Sequence, residues 1–260
     1  MPLLTVTALS KRFGGLNAVE AVDMHVDEGE LVALIGPNGA GKTTLFNLLT
    51  GVTAPTSGSV TLTVDGKPVS LLNRAPYQVA KLGLARTFQN IRLFARLTVR
   101  ENIQAAMTHR YHENFLATVL RLPAYYKKEA LVGGWTDALL EAFDLTAVAD
   151  LAAANLPYGT QRRVEIARAV ATQPKLIFLD EPAAGMNPEE TAALTALIQR
   201  LRSEFHLTVV LIEHDMSLVM KLAERIYVLE HGKVIAHGTP TEIQQNQAVI
   251  TAYLGGGVHA

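Results

Sequence analysis

Apolar and polar positions along the chain fall into three recurring patterns. Mainly apolar runs of strand length stand at Leu31–Ile35, Leu84–Phe88, Leu176–Leu179 and Leu207–Ile212, the second interrupted by Arg86-Thr87 and the last by Thr208. Runs of that size bounded by turn residues predict strands buried on both faces. Alternating segments stand at Ala18–Val26 and Ser59–Val64. Residues 3–9 alternate only weakly and predict an edge strand. Turns are predicted at Lys11–Gly15, Asp27–Glu30, Thr56–Ser59 and Asp65-Gly66, so the chain to residue 70 predicts an antiparallel layer of short strands. Helical spacing takes over at Thr44–Leu49, closed by Thr50-Gly51, and at Ala75–Leu82. Thr98 and Glu101 form a capping box opening a helix to about Met107. From there to Asp150 the pattern is mostly helical, with Pro123 at a helix start and a break predicted at Gly133-Gly134, just before Trp135. Helices are also predicted over Gly159–Thr172, Pro188–Phe205 and Met216–Ala223. Arg225–Leu229 and Lys233–Ala236 predict a hairpin around His231-Gly232, and Thr239–Glu242 opens a terminal helix.

The first buried strand leads into Gly36-Pro37-Asn38-Gly39-Ala40-Gly41-Lys42-Thr43-Thr44, a loop that feeds straight into a helix. This is the pattern of a phosphate-binding loop. A polyphosphate needs many N–H donors at close range. Glycines let the backbone curl around it, and a helix N-terminus adds a favourable dipole. Lys42 would reach the β- and γ-phosphates, and the Thr43 hydroxyl would bind Mg²⁺.

Composition narrows the setting. The 260 residues are enough for a substantial core. With 23 basic and 24 acidic residues, no bulk charge pulls the chain toward nucleic acid or anionic lipid. Zero cysteines exclude disulfides and cysteine metal sites. No apolar run reaches the roughly 18 residues of a membrane-spanning helix. No signal peptide is visible, so a cytosolic chain is expected, reaching a membrane only through a partner.

Four apolar strands end in polar groups: the phosphate loop, Gln89, Asp180-Glu181 and His214. Ligands bind at the carboxyl ends of parallel strands, so these groups are expected to converge. Asp180 suits the shell of a Mg²⁺ ion that keeps most of its waters. Glu181 could position water against a γ-phosphate, and His214 could donate to that phosphate.

These segments, with Leu156-Pro-Tyr-Gly-Thr160 opening a helix, resemble the ATP-binding subunit of ABC transporters in order and spacing over nearly the whole chain. Within that superfamily the chain looks most like the first of the two ATP-binding subunits of branched-chain amino acid importers. The likeness rests on Arg12–Leu16, Arg86–Asn90, Pro157–Gly159, Val164–Arg168, Asp180–Pro188, Gly238–Ile243 and Ala252–Leu254.

The resemblance implies an α/β fold: a P-loop NTPase (RecA-like) core over 1–90 and 155–260 with an antiparallel layer, and a helical subdomain over 91–154, in one ABC ATPase domain. It implies that Phe13 stacks on adenine, that Gln89 touches Mg²⁺ near the membrane contact, and that His214 is the switch histidine. Leu156–Thr160 would be the signature segment, with Tyr158, Gly159 and Thr160 meeting the ATP of an opposite subunit. Ala184–Asn187 would line the dimer interface. The segment departs from the common pattern: Pro157 replaces a serine, Tyr158 a glycine and Thr160 a glutamine. Pro157 brings neither hydroxyl nor N–H, so a donor is lost. The residues implied to act in hydrolysis are Lys42, Gln89, Glu181 and His214, with Thr43, Gln89 and Asp180 toward Mg²⁺.

The expected protein is therefore the ATP- and Mg²⁺-dependent motor of an importer, peripheral on the cytoplasmic face of the membrane. Its expected partners are a second, identical or homologous cassette packed head to tail, transmembrane permease subunits, and indirectly an external binding protein. No nucleic acid is expected. Competing expectations are a soluble ABC ATPase without a membrane partner, a cassette of a urea importer or lipopolysaccharide exporter, and a small-molecule kinase. A kinase has no use for residues 156–163, and soluble relatives usually carry two cassettes.

Overall fold

In a computed structural model, residues 2–108 and 123–254 are described, with side chains for 2–108 and 126–253. Two sheets organise the chain. The first has the order β2-β1-β4-β5, all antiparallel, from β1 (Pro2–Phe13), β2 (Leu16–Asp27), β4 (Ser57–Val64) and β5 (Lys67–Ser70). The second has the order β10-β9-β3-β8-β7-β6. Its strands are β3 (Leu31–Ile35), β6 (Leu84–Arg86), β7 (Leu176–Asp180), β8 (Thr208–Ile212), β9 (Arg225–Glu230) and β10 (Lys233–Gly238). All are parallel except β10, which turns back on β9.

Every residue of β3, β7 and β8 is buried, which is why these segments are apolar apart from Thr208 at the start of β8 and Asp180 at the end of β7. Successive side chains point to opposite faces of a strand, so the three strands feed two cores. Ala33, Ile177 and Leu211 join one core with Val99, Leu139, Phe143 and Leu197. Leu34, Phe178 and Val210 join the other with Leu4, Val60 and Phe46, between the two sheets. Phe46 and Phe178 meet edge to face there at 5.0 Å.

The helices are α1 (Lys42–Leu49), α2 (Pro76–Lys81), α3 (Val99–Met107), α4 (Pro123–Ala142), α5 (Tyr158–Ala171), α6 (Pro188–Phe205), α7 (Met216–Leu222), α8 (Pro240–Gln245) and α9 (Gln247–Leu254). Three of them open on reciprocal capping boxes. Thr98 with Glu101 and Thr239 with Glu242 stand where the sequence predicts them. Asn187 with Glu190 does the same for α6. The helical pattern expected over 109–122 lies outside the described residues.

Three local expectations change. First, β1 is not an edge: β4 returns along its far side, pairing Leu4 with Leu62. Its weak alternation reflects a bulge between Val6 and Leu9, where Ala8 takes a left-handed φ of 46°. Second, Lys11–Phe13 belong to the strand, because a hairpin turn needs only Gly14-Gly15. Likewise β4 begins at Ser57, inside the predicted turn. Third, α4 runs through Gly133-Gly134 without a break. Trp135 docks edge to face on Phe205 at 5.6 Å, and Leu139, Leu140 and Phe143 are buried beyond it. Packing of that face outweighs the glycine penalty of about 1 kcal/mol each.

A Cβ added at Gly133 or Gly134 meets nothing within 4 Å. Gly133→Ala and Gly134→Ala are each expected to stabilise the protein by about 0.5–1 kcal/mol, read as a raised midpoint in thermal unfolding.

Candidate functional site

The loop between β3 and α1 is wedged between two other strands. Gly36 has φ 147°, and a Cβ there would stand 2.1 Å from the Leu229 carbonyl oxygen. Gly41, the N-cap of α1, has φ 101°, and its Cβ would stand 2.4 Å from the Ala18 carbonyl oxygen. Only glycine fits either place. The hairpin turn after β9 braces the loop from outside: Gly232 N–H donates to the Ala40 carbonyl at 2.9 Å, and Glu20 N–H to the Gly232 carbonyl at 2.8 Å.

Lys42 is almost wholly buried and curls back over the loop. Its Nζ donates to the Gly36 carbonyl at 2.7 Å and to the Pro37 carbonyl at 3.0 Å. Burial lowers its pKa from the ordinary lysine value, and the charges of Glu181 and Asp180 oppose that shift.

A cleft of about 510 Å³ opens over this loop. Phe13, Asn38 to Thr44, Gln89 and Glu181 line it, with Leu16, Asn17 and Ala18 from the first hairpin and His231-Gly232 from the turn after β9. Phe13 lies half exposed at one wall, and Lys11 Nζ stands 4.9 Å from its ring centre. Gln89 Nε2 donates to Glu181 Oε2 at 2.8 Å. Glu181 sits just past β7 with a left-handed φ of 45°, and its N–H continues the sheet ladder to the Ile212 carbonyl at 3.0 Å.

Asp180 lies deeper, 4% exposed. Arg86 at the tip of β6 holds its Oδ2 at 2.8 Å, and the other arm of that guanidinium donates to Asn47 Oδ1 at 2.7 Å and Thr50 Oγ1 at 3.0 Å on α1. Sequence reasoning gave Arg86 no part in the site. The available signal was a full charge at the end of an apolar strand that pairs with β7. Leu16, Asn17 and His231 were also missed, because only pairing across the sheets brings the two hairpin tips over the loop.

Gly36, Pro37 and Asp180 do not line the cleft, and neither do two further sets of expected site residues. The His214 side chain is 65% exposed, its Nδ1 3.9 Å from Glu213 Oε2. Glu213 itself is buried and accepts from Ala183 N–H at 2.8 Å and His214 N–H at 3.2 Å. Tyr158, Gly159 and Thr160 open α5 with Pro157 as N-cap, and none of them lines the cleft. Tyr158 is half exposed, while a Cβ at Gly159 would meet Glu190 Oε1 at 2.9 Å.

The site suits a polyphosphate with a hard cation. Gly36 and Gly41 let the loop close against the carbonyls of Leu229 and Ala18, and a buried ammonium lies within it. The donors offered to a cation are a hydroxyl at Thr43, an amide at Gln89 and a carboxylate at Asp180, the oxygen set that Mg²⁺ prefers. Among the described residues, no cluster of three or more His, Cys, Asp or Glu could hold a metal ion by itself.

Comparison with known proteins agrees with this arrangement. Residues 19–184 match the ABC transporter family, and residues 233–259 match the family described as branched-chain amino acid ATP-binding cassette transporter. The chain is 48% identical over 254 residues to the high-affinity branched-chain amino acid transport ATP-binding protein BraF of Pseudomonas aeruginosa, covering 98% of each. It is 47% identical over 257 residues to the corresponding LivG of Salmonella typhimurium, again covering 98% of each. Among solved structures, the ADP conformation of MJ1267, an ATP-binding cassette of an ABC transporter, matches with a TM-score of 0.83 at 29% identity, over 98% of this chain and 99% of that one.

Gly36→Ala is expected to weaken nucleotide binding at least tenfold and to destabilise the fold by about 1–3 kcal/mol or more, because it adds left-handed strain to a backbone clash. Gly15→Ala is the control, since a Cβ there meets nothing within 4 Å. Titration with a fluorescent ATP analogue and thermal unfolding read both variants.

Burial, as the largest cause, raises the Glu213 pKa above the ordinary 4.5, against the pull of the Ala183 and His214 N–H groups. A group whose folded pKa is raised loses its stabilising contribution as pH climbs through that value. Glu213→Gln keeps an acceptor for Ala183 but cannot ionise. Its unfolding free energy relative to wild type is therefore expected to rise as pH climbs above the ordinary 4.5, measured by urea unfolding across a pH series.

Proposed function

We propose that this chain, which belongs to the ABC transporter family, is the ATP-hydrolysing motor subunit of an importer of branched-chain amino acids. As a member of that family it binds ATP and couples its hydrolysis to transport. The choice of substrate is supported by the match at residues 233–259 and by the names of its relatives. The observation that carries the reading is the meeting of Lys42, Thr43, Gln89 and Glu181 around one cleft, at the carboxyl ends of β3, β6 and β7.

In this reading the N–H groups of Asn38 to Thr44 bind the phosphates, and Lys42 neutralises their β–γ end. Phe13 takes the adenine face. Thr43, Gln89 and Asp180 would hold Mg²⁺, which when bound would offset the charge of the phosphate oxygens. Arg86 fixes Asp180, and Gln89 fixes Glu181 so that its carboxylate orients the attacking water. Phosphoryl transfer asks for positioning and charge neutralisation, and these groups provide both.

His214 and Tyr158–Thr160 take part only when a second cassette closes head to tail over the cleft. The signature segment of one subunit then faces the nucleotide of the other, and His214 turns toward the γ-phosphate. ATP touches both faces and so binds the closed pair more tightly, which is how it shifts the equilibrium toward closure. Hydrolysis releases that hold, and permease subunits contacting the chain near Gln89 follow the motion. Among the described residues no helix is long and apolar enough to cross a membrane, so in this reading those subunits hold the chain at the cytoplasmic face. An external binding protein would deliver the amino acid.

Glu181→Gln is expected to bind ATP within about twofold of wild type, to lose about 100-fold or more in turnover, and to accumulate as an ATP-bound dimer. Steady-state phosphate release and size-exclusion chromatography with ATP test this. Normal turnover by the variant would remove Glu181 from the role. Co-purification with integral membrane subunits from the native membrane tests the transporter assignment.

A further inference from the structure

One side chain between the expected signature segment and the Gln89 loop is unused by the reading above. Arg162, on α5, is the largest fully buried side chain among the described residues. Its Nη1 donates to the Phe88 carbonyl at 2.7 Å and to Glu165 Oε2 at 2.7 Å. Its Nη2 donates to the Gln89 carbonyl at 2.7 Å and to the Tyr158 hydroxyl at 3.1 Å. Burying a guanidinium is costly unless its charge and donors are met. Glu165 supplies the countercharge and both η nitrogens are bonded, while the buried Nε has no partner. The other Glu165 oxygen accepts from Arg92 N–H at 3.3 Å, so α5 grips the Gln89 loop at both ends.

Two further contacts extend the chain. At one end Tyr158 is half exposed at the start of α5, and its ring passes the Ala184–Asn187 loop: a Cβ at Gly185 would stand 3.7 Å from it. At the other end the Gln89 side chain holds Glu181 Oε2 at 2.8 Å. Continuous hydrogen bonds thus run from the Tyr158 hydroxyl through Arg162 and the Gln89 backbone to the Glu181 carboxylate. Tyr158 and Arg162 belong together in this respect. The glycine usual at position 158 in the superfamily would leave the guanidinium without this acceptor, and only a planar fork reaches two successive carbonyls and two side chains at once.

We propose that Arg162 is a positioning residue that ties the Tyr158 face of α5 to the Glu181 carboxylate through the Phe88–Gln89 backbone. The surface that meets a partner's nucleotide and the carboxylate over this chain's own phosphate loop then move as one body. Contact made by Tyr158 across a closing dimer sets Gln89, and through it Glu181, in the neighbouring site. The two sites of a dimer are coupled by this direct path. The proposal rests on the motor-subunit reading for its consequence, and on the hydrogen bonds for its mechanism.

The test uses the full chain. Hydrogen–deuterium exchange without nucleotide is followed at the segment 86–92, beside kcat and KM for ATP hydrolysis. Tyr158→Phe removes one hydroxyl from a half-exposed side chain and keeps the ring, so it leaves the fold in place. It is expected to speed exchange at 86–92 about threefold and to lower kcat about threefold, with KM within about twofold. Arg162→Lys keeps the charge beside Glu165 and loses the fork, and about tenfold is expected in both readouts. The double variant is expected to match Arg162→Lys alone, because both changes break the same connection.

A lowered melting temperature for Arg162→Lys with exchange at 86–92 and kcat unchanged would make Arg162 purely structural and overturn the proposal. Multiplicative losses in the double variant would also overturn it. If wild-type chain hydrolyses no ATP, the motor reading fails, and the exchange measurements still decide whether the tie exists.

Discussion

A buried ammonium sets the terms for this site. Lys42 sits inside a loop of its own backbone, bonded to the carbonyls of Gly36 and Pro37, with Asp180 and Glu181 as the charges that oppose its desolvation. A cation taken out of water is costly unless anions surround it. The fold meets that cost partly with carboxylates at the end of β7 and leaves the balance to a ligand rich in negative charge. Each feature around the loop serves the same end. The loop must close tightly enough to bury the amine, so Gly36 and Gly41 press against the carbonyls of Leu229 and Ala18. The carboxylates must stay near without collapsing onto the amine, so Arg86 draws Asp180 aside and Gln89 holds Glu181.

That arrangement depends on the sheet behind it. The loop, Gln89 and Glu181 lie far apart in sequence and come together because β3, β6 and β7 are parallel and end at one edge. A parallel sheet is stable only when both faces are covered. Here one face packs on α1 and the antiparallel sheet, and the other on α3 to α7. The antiparallel sheet does more than cover. It carries Phe13 and Ala18 to the rim of the cleft and sets the carbonyl against which Gly41 is fitted.

What the sequence disclosed and what it hid divide along sequence distance. The phosphate loop, the capping boxes at Thr98 and Thr239 and the buried strands are local patterns, written within a few residues of one another, and were legible. Arg86 with Asp180 and Arg162 with Gln89 are separated by 94 and 73 residues. Nothing in the local spacing marks such pairs. They become visible only once β6 lies beside β7 and α5 beside the Gln89 loop. Local rules also misled where packing outweighed them. Gly133-Gly134 would break an isolated helix, yet Trp135 on Phe205 keeps α4 continuous. The weak alternation of residues 3–9 pointed to an edge, whereas a bulge at Ala8 inside a three-strand pairing produces it.

The placement of His214 and Tyr158 follows from the same physics. In the reading proposed above both meet the ATP of a closed pair, and here both lie at the surface outside the cleft. A site complete in one chain would bind the triphosphate equally before and after any movement, and such binding does no work. Leaving part of the wall on a second copy makes the affinity depend on closure. The cost is that each chain must know whether its neighbour has closed. A fully buried guanidinium whose two η nitrogens hold α5 by a tyrosine hydroxyl and the Gln89 loop by two carbonyls is rigid enough to carry that information, because any shift would strip further buried donors of their partners.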